Sequence, residues 1–355
     1  MKPNYLDKKN CHALLPKQHG LPMLQRLENC LSEINEKPGI YHGLIDKLIK
    51  QNKSTANKRH GSERLLNIPI DIAQGLYVVK KEINTEVRSR PYPGPAQLHT
   101  VIDYEGDTVW KTLVPLQFLL KGWGDANSGH QCYVHSISKN VPRIASIDQF
   151  LSRLKKDEDT YYYVGITGRN WLQRLSEHIR ETRRGSQRWF YKALRESSDW
   201  KKVLYISTLM DINQSYDEAM HWEEEYVENI AADQYGLNMI PGGFKENQYL
   251  HKLGLAKKVR LSLEEREHAL NEYAKQNSRR GIPNLFKRAW WKDDNNYEKF
   301  NEANPKRLTV DQRKEARRLH AAGISIPDIK KIIGALDERQ VKDFLSGKTY
   351  KRSTV

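Results

Sequence analysis

At 355 residues the chain exceeds the usual domain of about 100–200, so two or three domains are expected. A formal charge of +15 points to phosphate-bearing partners, nucleic acid first, while no run approaches the roughly 18 apolar residues of a spanning helix, which excludes membrane functions. Cys11, Cys30 and Cys132 fit neither a disulfide framework nor a zinc ribbon, and the N-terminus lacks a signal-peptide stretch, so the expected compartment is the cytoplasm.

Along the chain, Leu24, Leu27, Leu31 and Ile34 recur at helical spacing, and a second short helix is expected from Leu44 to Ile49. Polar, basic Gln51 to Arg64 reads as a loop. Short β-rich runs follow at Gly75 to Val79, Leu98 to Asp103 and Thr108 to Trp110, around a Pro-rich break at Arg90. Residues 1–125 are thus an α+β N-terminal domain without a motif that names its role. Between 126 and 245, β-rich runs alternate with amphipathic helices. Strands are expected at Tyr133 to Ile137, Tyr161 to Ile166 and Val203 to Leu209, and helices at Trp171 to Glu181, Trp189 to Glu196 and Tyr216 to Ala232. Residues 246–305 read as a charged linker, and 306–355 as a three-helix unit.

Two helices carry the residues of interest. At about 100° per residue, Leu172, Leu175 and Ile179 form an apolar face, with Arg174 and His178 one turn apart on its rim. A cation and an imidazole so placed could address one phosphate, or be the ordinary charges of a surface helix. On the later helix, Glu223 falls inside the apolar stripe of Ala219, Tyr226, Val227 and Ile230, whereas Glu224, Glu225 and Glu228 point away. A carboxylate facing a core needs a partner, either a basic residue such as Arg174 or a metal.

Tyr163-Val164-Gly165, then Arg174 and His178, then Ala219 and Glu223, then Leu237-Asn238 with Gly242-Gly243 together resemble the GIY-YIG nuclease superfamily over about a third of the chain. Two departures accompany the resemblance. The interval from Tyr163 to Arg174 is about one residue long, which a turn at Gly168 to Asn170 absorbs. The tyrosine of the first motif is represented by Tyr133, followed by a long insertion with a helix-like stretch from Ile147 to Leu154. The literal Gly39-Ile40-Tyr41 precedes a helical pattern, far from Tyr163, and is set aside.

The resemblance implies a small three-stranded antiparallel sheet flanked by helices, and metal-dependent hydrolysis of double-stranded DNA. In it Glu223 would bind Mg²⁺ or Mn²⁺, Arg174 would neutralise the phosphate, Tyr133 or Tyr163 would activate water, and His178 would assist. Independently of the resemblance, Arg184, Arg188 and Lys192 interleave with Trp189 and Tyr191, which suits a phosphate backbone and splayed bases or is simply the core of that helix; with Asn238 they are the expected DNA contacts. The stretch from Leu308, with Thr309 as N-cap, resembles a helix-turn-helix module, similar to those appended to phage and mobile-element nucleases. If its third helix is the reader, Arg339, Gln340 and Lys342 face the major groove. A homing or restriction endonuclease is therefore expected. The alternative is a non-catalytic DNA-binding regulator that keeps a nuclease-like scaffold. Neither the oligomeric state nor the recognition sequence is legible.

Overall fold

Apolar residues three and four apart place one stripe on each N-terminal helix, and a computed structural model of the protein shows these helices laid on one face of a sheet. It describes residues 4–17, 20–54, 61–77, 82–90, 94–104, 108–139, 160–198, 203–231, 236–276, 298, 301–302 and 307–350. The first unit spans Met1–Arg280 and the second Gly281–Val355.

In the first unit, Lys8–Leu14 (α1) is capped by the Asp7 carboxylate, which accepts from Asn10 N at 3.1 Å. Leu21–Glu36 (α2) buries Leu24, Leu27, Leu31 and Ile34, and Leu44–Asn52 (α3) buries Ile45 and Leu48. Four strands follow: Ile70–Tyr77 (β1), Glu82–Ser89 (β2), Gln97–Tyr104 (β3) and Thr108–Pro115 (β4), the last running into the short Leu116–Leu119 (α4). Next come His130–Lys139 (β5), Thr160–Thr167 (β6), Trp171–Arg183 (α5), Trp189–Ser197 (α6), Val203–Gln214 (β7) and Tyr216–Tyr226 (α7), which ends in a π-helical turn, Val227–Ala231. The last helices of this unit are Gly243–Lys252 (α8) and Leu263–Gln276 (α9). The stretch from residue 246, expected to be a charged linker, is thus largely helical as far as Gln276. The helix expected at 147–154 and the remainder of the linker, 277–297, lie outside the described residues.

The expected three-stranded antiparallel sheet is corrected by the topology. Among the described residues, the seven strands form one mixed sheet in the order β2-β1-β3-β4-β7-β5-β6. β5 pairs antiparallel with both β7 and β6, but β4 pairs in parallel with β7, Thr108 to Leu113 against Val203 to Thr208, and joins them to the N-terminal strands. β7 itself supplies the physical reason. Val203, Leu204, Ile206, Leu209 and Ile212 are all buried, so the strand is covered on both faces, as central strands are. Trp110 stacks on Tyr205 across this junction, with ring centroids 5.0 Å apart.

The core is likewise shared. One apolar cluster runs from α1–α3 through Ile70, Ile72, Leu98 and Val114 to Tyr133, Trp171 and Leu209. Trp171 is fully buried; its indole donates to the Leu14 carbonyl at 3.3 Å and its backbone N–H to Gln131 Oε1 at 2.8 Å. The N-cap of α5, Asn170, also donates to the Ala13 carbonyl at 2.5 Å. Truncating such a tryptophan costs about 3–5 kcal/mol. The N-terminal segment therefore anchors the start of the helix that carries Arg174.

In the second unit, Val310–Ala321 (α10) opens with a Thr309/Gln312 capping box, and Ile326–Ile333 (α11) and Glu338–Leu345 (α12) follow. Ala316, Leu319, Ile329, Ile333, Val341 and Phe344 form the core, whereas Ile332 is 57% exposed. Arg313 is buried beneath the Tyr350 ring and pairs with Glu298. No helix among the described residues is long and apolar enough to cross a membrane.

Candidate active site

Strand pairing sets the first part of the site. Tyr133 on β5 lies opposite Gly165 on β6, and His135 lies opposite Tyr163, so these four residues share a sheet face. A Cβ on Gly165 would sit 2.6 Å from the Tyr133 hydroxyl. Glycine in Tyr163-Val164-Gly165 is the residue that lets the Tyr133 ring cross the neighbouring strand. Phe190 of α6 stacks on Tyr163 with centroids 4.4 Å apart, and on His135 at 5.6 Å.

Arg174 and His178, expected on the rim of α5, are both buried against this face, at 8% and 0% exposure. His178 holds two hydroxyls, Tyr133 at 3.1 Å through Nε2 and Tyr191 at 3.0 Å through Nδ1. Burial first, then the neighbouring Arg174, push its pKa well down, so the ring is neutral and accepts from one hydroxyl while donating to the other. Tyr191, on α6, was not singled out for the site by sequence reasoning; only its place among the basic residues drew notice. Burial raises the pKa of both Tyr133 and Tyr163, and Arg174 acts against that rise in each. Burial alone would lower the pKa of Arg174, yet Tyr133, Tyr163 and Glu267 raise it, so the guanidinium stays ionised. The Tyr163 hydroxyl has no hydrogen-bond partner among the described residues.

Glu223 is held from the other side. Helix α7 begins with a Ser215/Glu218 capping box and turns Ala219, Met220 and Glu223 inward. The Glu223 carboxylate accepts from Arg266 Nη2 at 2.6 Å and from Gly243 N at 3.0 Å. Gly243 takes φ +58°, and a Cβ there would collide with the Met220 carbonyl, so Gly242-Gly243 brings the start of α8 directly onto α7. The same Arg266 nitrogen lies 3.1 Å from Glu246 Oε2, and burial, with Glu223 adding to it, raises the Glu246 pKa. Arg266 belongs to α9, in the segment expected to be linker.

Tyr133, Tyr163, Tyr191, Arg174, Arg188 and Glu223 all line one cleft of about 250 Å³. His178 stands behind it, reaching it only through the tyrosines. Arg188, expected on an outward DNA surface, instead lies inside, its Nη2 donating to the Glu267 carbonyl at 2.9 Å. Asn238 clips the chain to β6, accepting from Val164 N and donating to Val164 O, each at 2.9 Å, and is half-buried in the lining of the same cleft. Arg184 is exposed beside Glu181, and Lys192 is half-buried. In the second unit Arg339 and Lys342 are exposed on α12. Gln340 faces its own helix start, accepting from Leu336 N at 3.1 Å.

No family model, characterised protein or solved structure matches the chain. What the site can do is therefore argued from its own geometry. Among the described residues no group of three or more His, Cys, Asp or Glu side chains surrounds a metal position. Two carboxylates nonetheless converge on the single Arg266 nitrogen, at 2.6 and 3.1 Å. Two hard oxygen donors around one cationic position suit Mg²⁺ or Mn²⁺, which needs only one or two carboxylates when water and phosphate complete its shell. The donor set fits the ion that the resemblance implies.

The buried histidines give this unit a pH dependence. Burial lowers His99 to about 4 and His135 to about 3, and holds His178 well below its ordinary value, all below the unfolded value near 6.5. A cation whose folded pKa is depressed contributes stability that is present above the unfolded pKa and is lost as pH falls. Lys111, lowered to about 7 by burial, acts in the same sense, and Glu246 in the opposite one. Between pH 7.5 and 6 the unfolding free energy should fall by about 2–3 kcal/mol. Urea unfolding followed at both pH values checks this; equal midpoints would contradict it.

Proposed function

We propose that the chain is a divalent-metal-dependent DNA endonuclease that works with the chemistry of the GIY-YIG nucleases. The observation that carries this reading is the convergence of Tyr133, Tyr163, Arg174 and Glu223, from four separate elements, on one cleft. A nucleophile activator, a phosphate-neutralising cation and a metal-binding carboxylate are the parts that phosphodiester hydrolysis requires.

Tyr133 is the general base in this reading. Tyr133 lines the cleft, and with its O–H donated to His178 Nε2 its oxygen would take a proton from water as the hydroxyl proton passes to the imidazole. His178, disfavoured as a cation by burial and Arg174, gives its Nδ1 proton to the Tyr191 oxygen as Tyr191 releases its own hydroxyl proton to water in the same cleft. His178 and Tyr191 are thus positioning residues that keep the base turned outward. Arg174 neutralises charge on the non-bridging phosphate oxygens, with Arg188 beside it. Glu223, with Glu246 close by, would hold the divalent ion, whose chemistry when bound is Lewis-acid stabilisation of the phosphate and of the leaving 3′-oxygen. Arg339 and Lys342, exposed on α12, are the side chains of the C-terminal unit best placed to reach base edges of double-stranded DNA, as in a homing or restriction enzyme.

Tyr133→Phe compared with Tyr163→Phe tests the assignment. The first should slow plasmid nicking by about 10²–10⁴-fold at unchanged DNA affinity, and the second much less. The opposite ranking would transfer the base to Tyr163. One observation favours the second reading, a DNA-binding regulator without catalysis: Arg174 and Glu223 are both ion-paired within the chain.

A further inference from the structure

Both of those ion pairs end on neighbouring residues of one helix, while a further pair of Arg174, with Glu177 at 2.9 Å, stays within α5. Arg266 of α9 places its guanidinium nitrogen on Glu223 and Glu246, while its other terminal nitrogen approaches Met220 Sδ at 3.0 Å. Glu267, the next residue, places Oε1 2.8 Å from Arg174 and 3.9 Å from Arg188, and Oε2 3.8 Å from Arg169. A cation therefore lies on the carboxylates that suit a metal, and an anion lies among the arginines that suit a phosphate.

Resting on the nuclease reading above, we propose that α9 is a built-in plug: Arg266 and Glu267 mimic the metal and the phosphate, and the helix must leave the cleft before DNA enters. Charge dominates the docking of the helix. Its sequence, Leu-Glu-Glu-Arg-Glu-His-Ala-Leu-Asn-Glu-Tyr-Ala-Lys-Gln, is mostly charged and polar; its buried apolar side chains are the small Ala269 and Ala274, and Leu263, Leu270 and Tyr273 pack only part-buried against the unit. The connection from α8 contains Gly254 at φ +71° and exposes Leu253 and Val259, while Leu261, next to the start of α9, is buried and accepts from the Tyr216 hydroxyl. Buried ion pairs also suit an exchangeable contact. The attraction within each pair roughly offsets its loss of water, and incoming metal and phosphate restore the same charges. Glu267 retains 29% exposure at its side chain, so DNA has a path to the first pair to break.

The test uses the full chain as wild type, Glu267→Gln and Glu272→Gln. The last makes the same charge change on the same helix at a residue that pairs with exposed Lys275 and does not line the cleft. Affinity for a short synthetic duplex is measured in EDTA, amide hydrogen exchange over 263–276 is followed with and without that duplex, and supercoiled plasmid is then nicked with Mg²⁺. Glu267→Gln should bind about tenfold tighter than Glu272→Gln, the equivalent of one charge-assisted hydrogen bond released. In the wild type, duplex should speed exchange over 263–276 while leaving 171–183 protected. Equal affinities of the two variants, together with exchange unchanged or slowed by DNA, would overturn the plug and make α9 a fixed wall. Tighter binding and faster exchange without nicking by any of the proteins would support the plug and overturn the nuclease reading alone. The exchange measurement needs no substitution, so it decides the matter even if Glu267→Gln folds poorly.

Discussion

Arg174→Ala should lower the nicking rate by about 10²–10³-fold, the loss that follows removal of one preorganised donor from developing negative charge. Arg174 is buried on α5, is held ionised by Tyr133, Tyr163 and Glu267, and points into the cleft that both tyrosines line. Its removal acts twice. The phosphate loses its nearest cation, and the two phenols lose the charge that opposes the rise in their pKa, so the acid–base step shifts to higher pH. Arg174→Lys keeps the charge but not the two-nitrogen fork, and should recover only part of the rate. Rates of all three proteins across pH 6–9 read both effects. An Arg174→Ala enzyme with wild-type rate and wild-type pH profile would remove this residue from the mechanism.

Glu223→Ala should have the larger consequence, because it touches both chemistry and fold. The carboxylate sits at 6% exposure between Arg266 and the Gly243 N–H. Deleting it leaves a buried guanidinium with Glu246 alone and an unpaired amide at the start of α8, a loss of about 3–5 kcal/mol. Activity should fall by at least about 10³-fold, since Lewis-acid stabilisation is worth several kcal/mol and each 1.36 kcal/mol is tenfold. Glu223→Gln separates the two effects. It fills the same volume and still accepts from Gly243, so it should keep most of the stability while losing the activity. Thermal unfolding beside nicking rates for both variants checks the split; an active Glu223→Gln enzyme would exclude Glu223 as the metal-holding carboxylate.

Much of this site is local in the sequence, and that part was legible. Helical spacing places Arg174 and His178 one turn apart, and the apolar stripe around Ala219 picks Glu223 from its acidic neighbours; the structure buries all three. What escaped is non-local. Parallel pairing of Thr108–Leu113 with Val203–Thr208 joins segments about 95 residues apart and leaves no periodic signature, although the nearly continuous apolar run in β7 hinted that both of its faces are covered. Arg266 and Glu267 were hidden because a helix docked by charge on a polar cleft has a weak apolar stripe and reads as tether. Tyr191 looked like one aromatic among basic residues, and only the fold turns its hydroxyl toward His178. Asn238 lies in the cleft lining, and only the fold shows that it also clips the chain to the Val164 backbone.

The most direct measurement is nicking of sequence-diverse supercoiled plasmids by the full chain, with Mg²⁺ or with EDTA, beside Glu223→Gln at equal DNA binding. The expected result is open-circular or linear product from the wild type with Mg²⁺, none in EDTA, and at least about 10³-fold less from Glu223→Gln. DNA binding by both proteins with no cleavage by either, when Glu267→Gln is also silent, would contradict the catalytic account and leave a DNA-binding protein built around an ion-paired cleft.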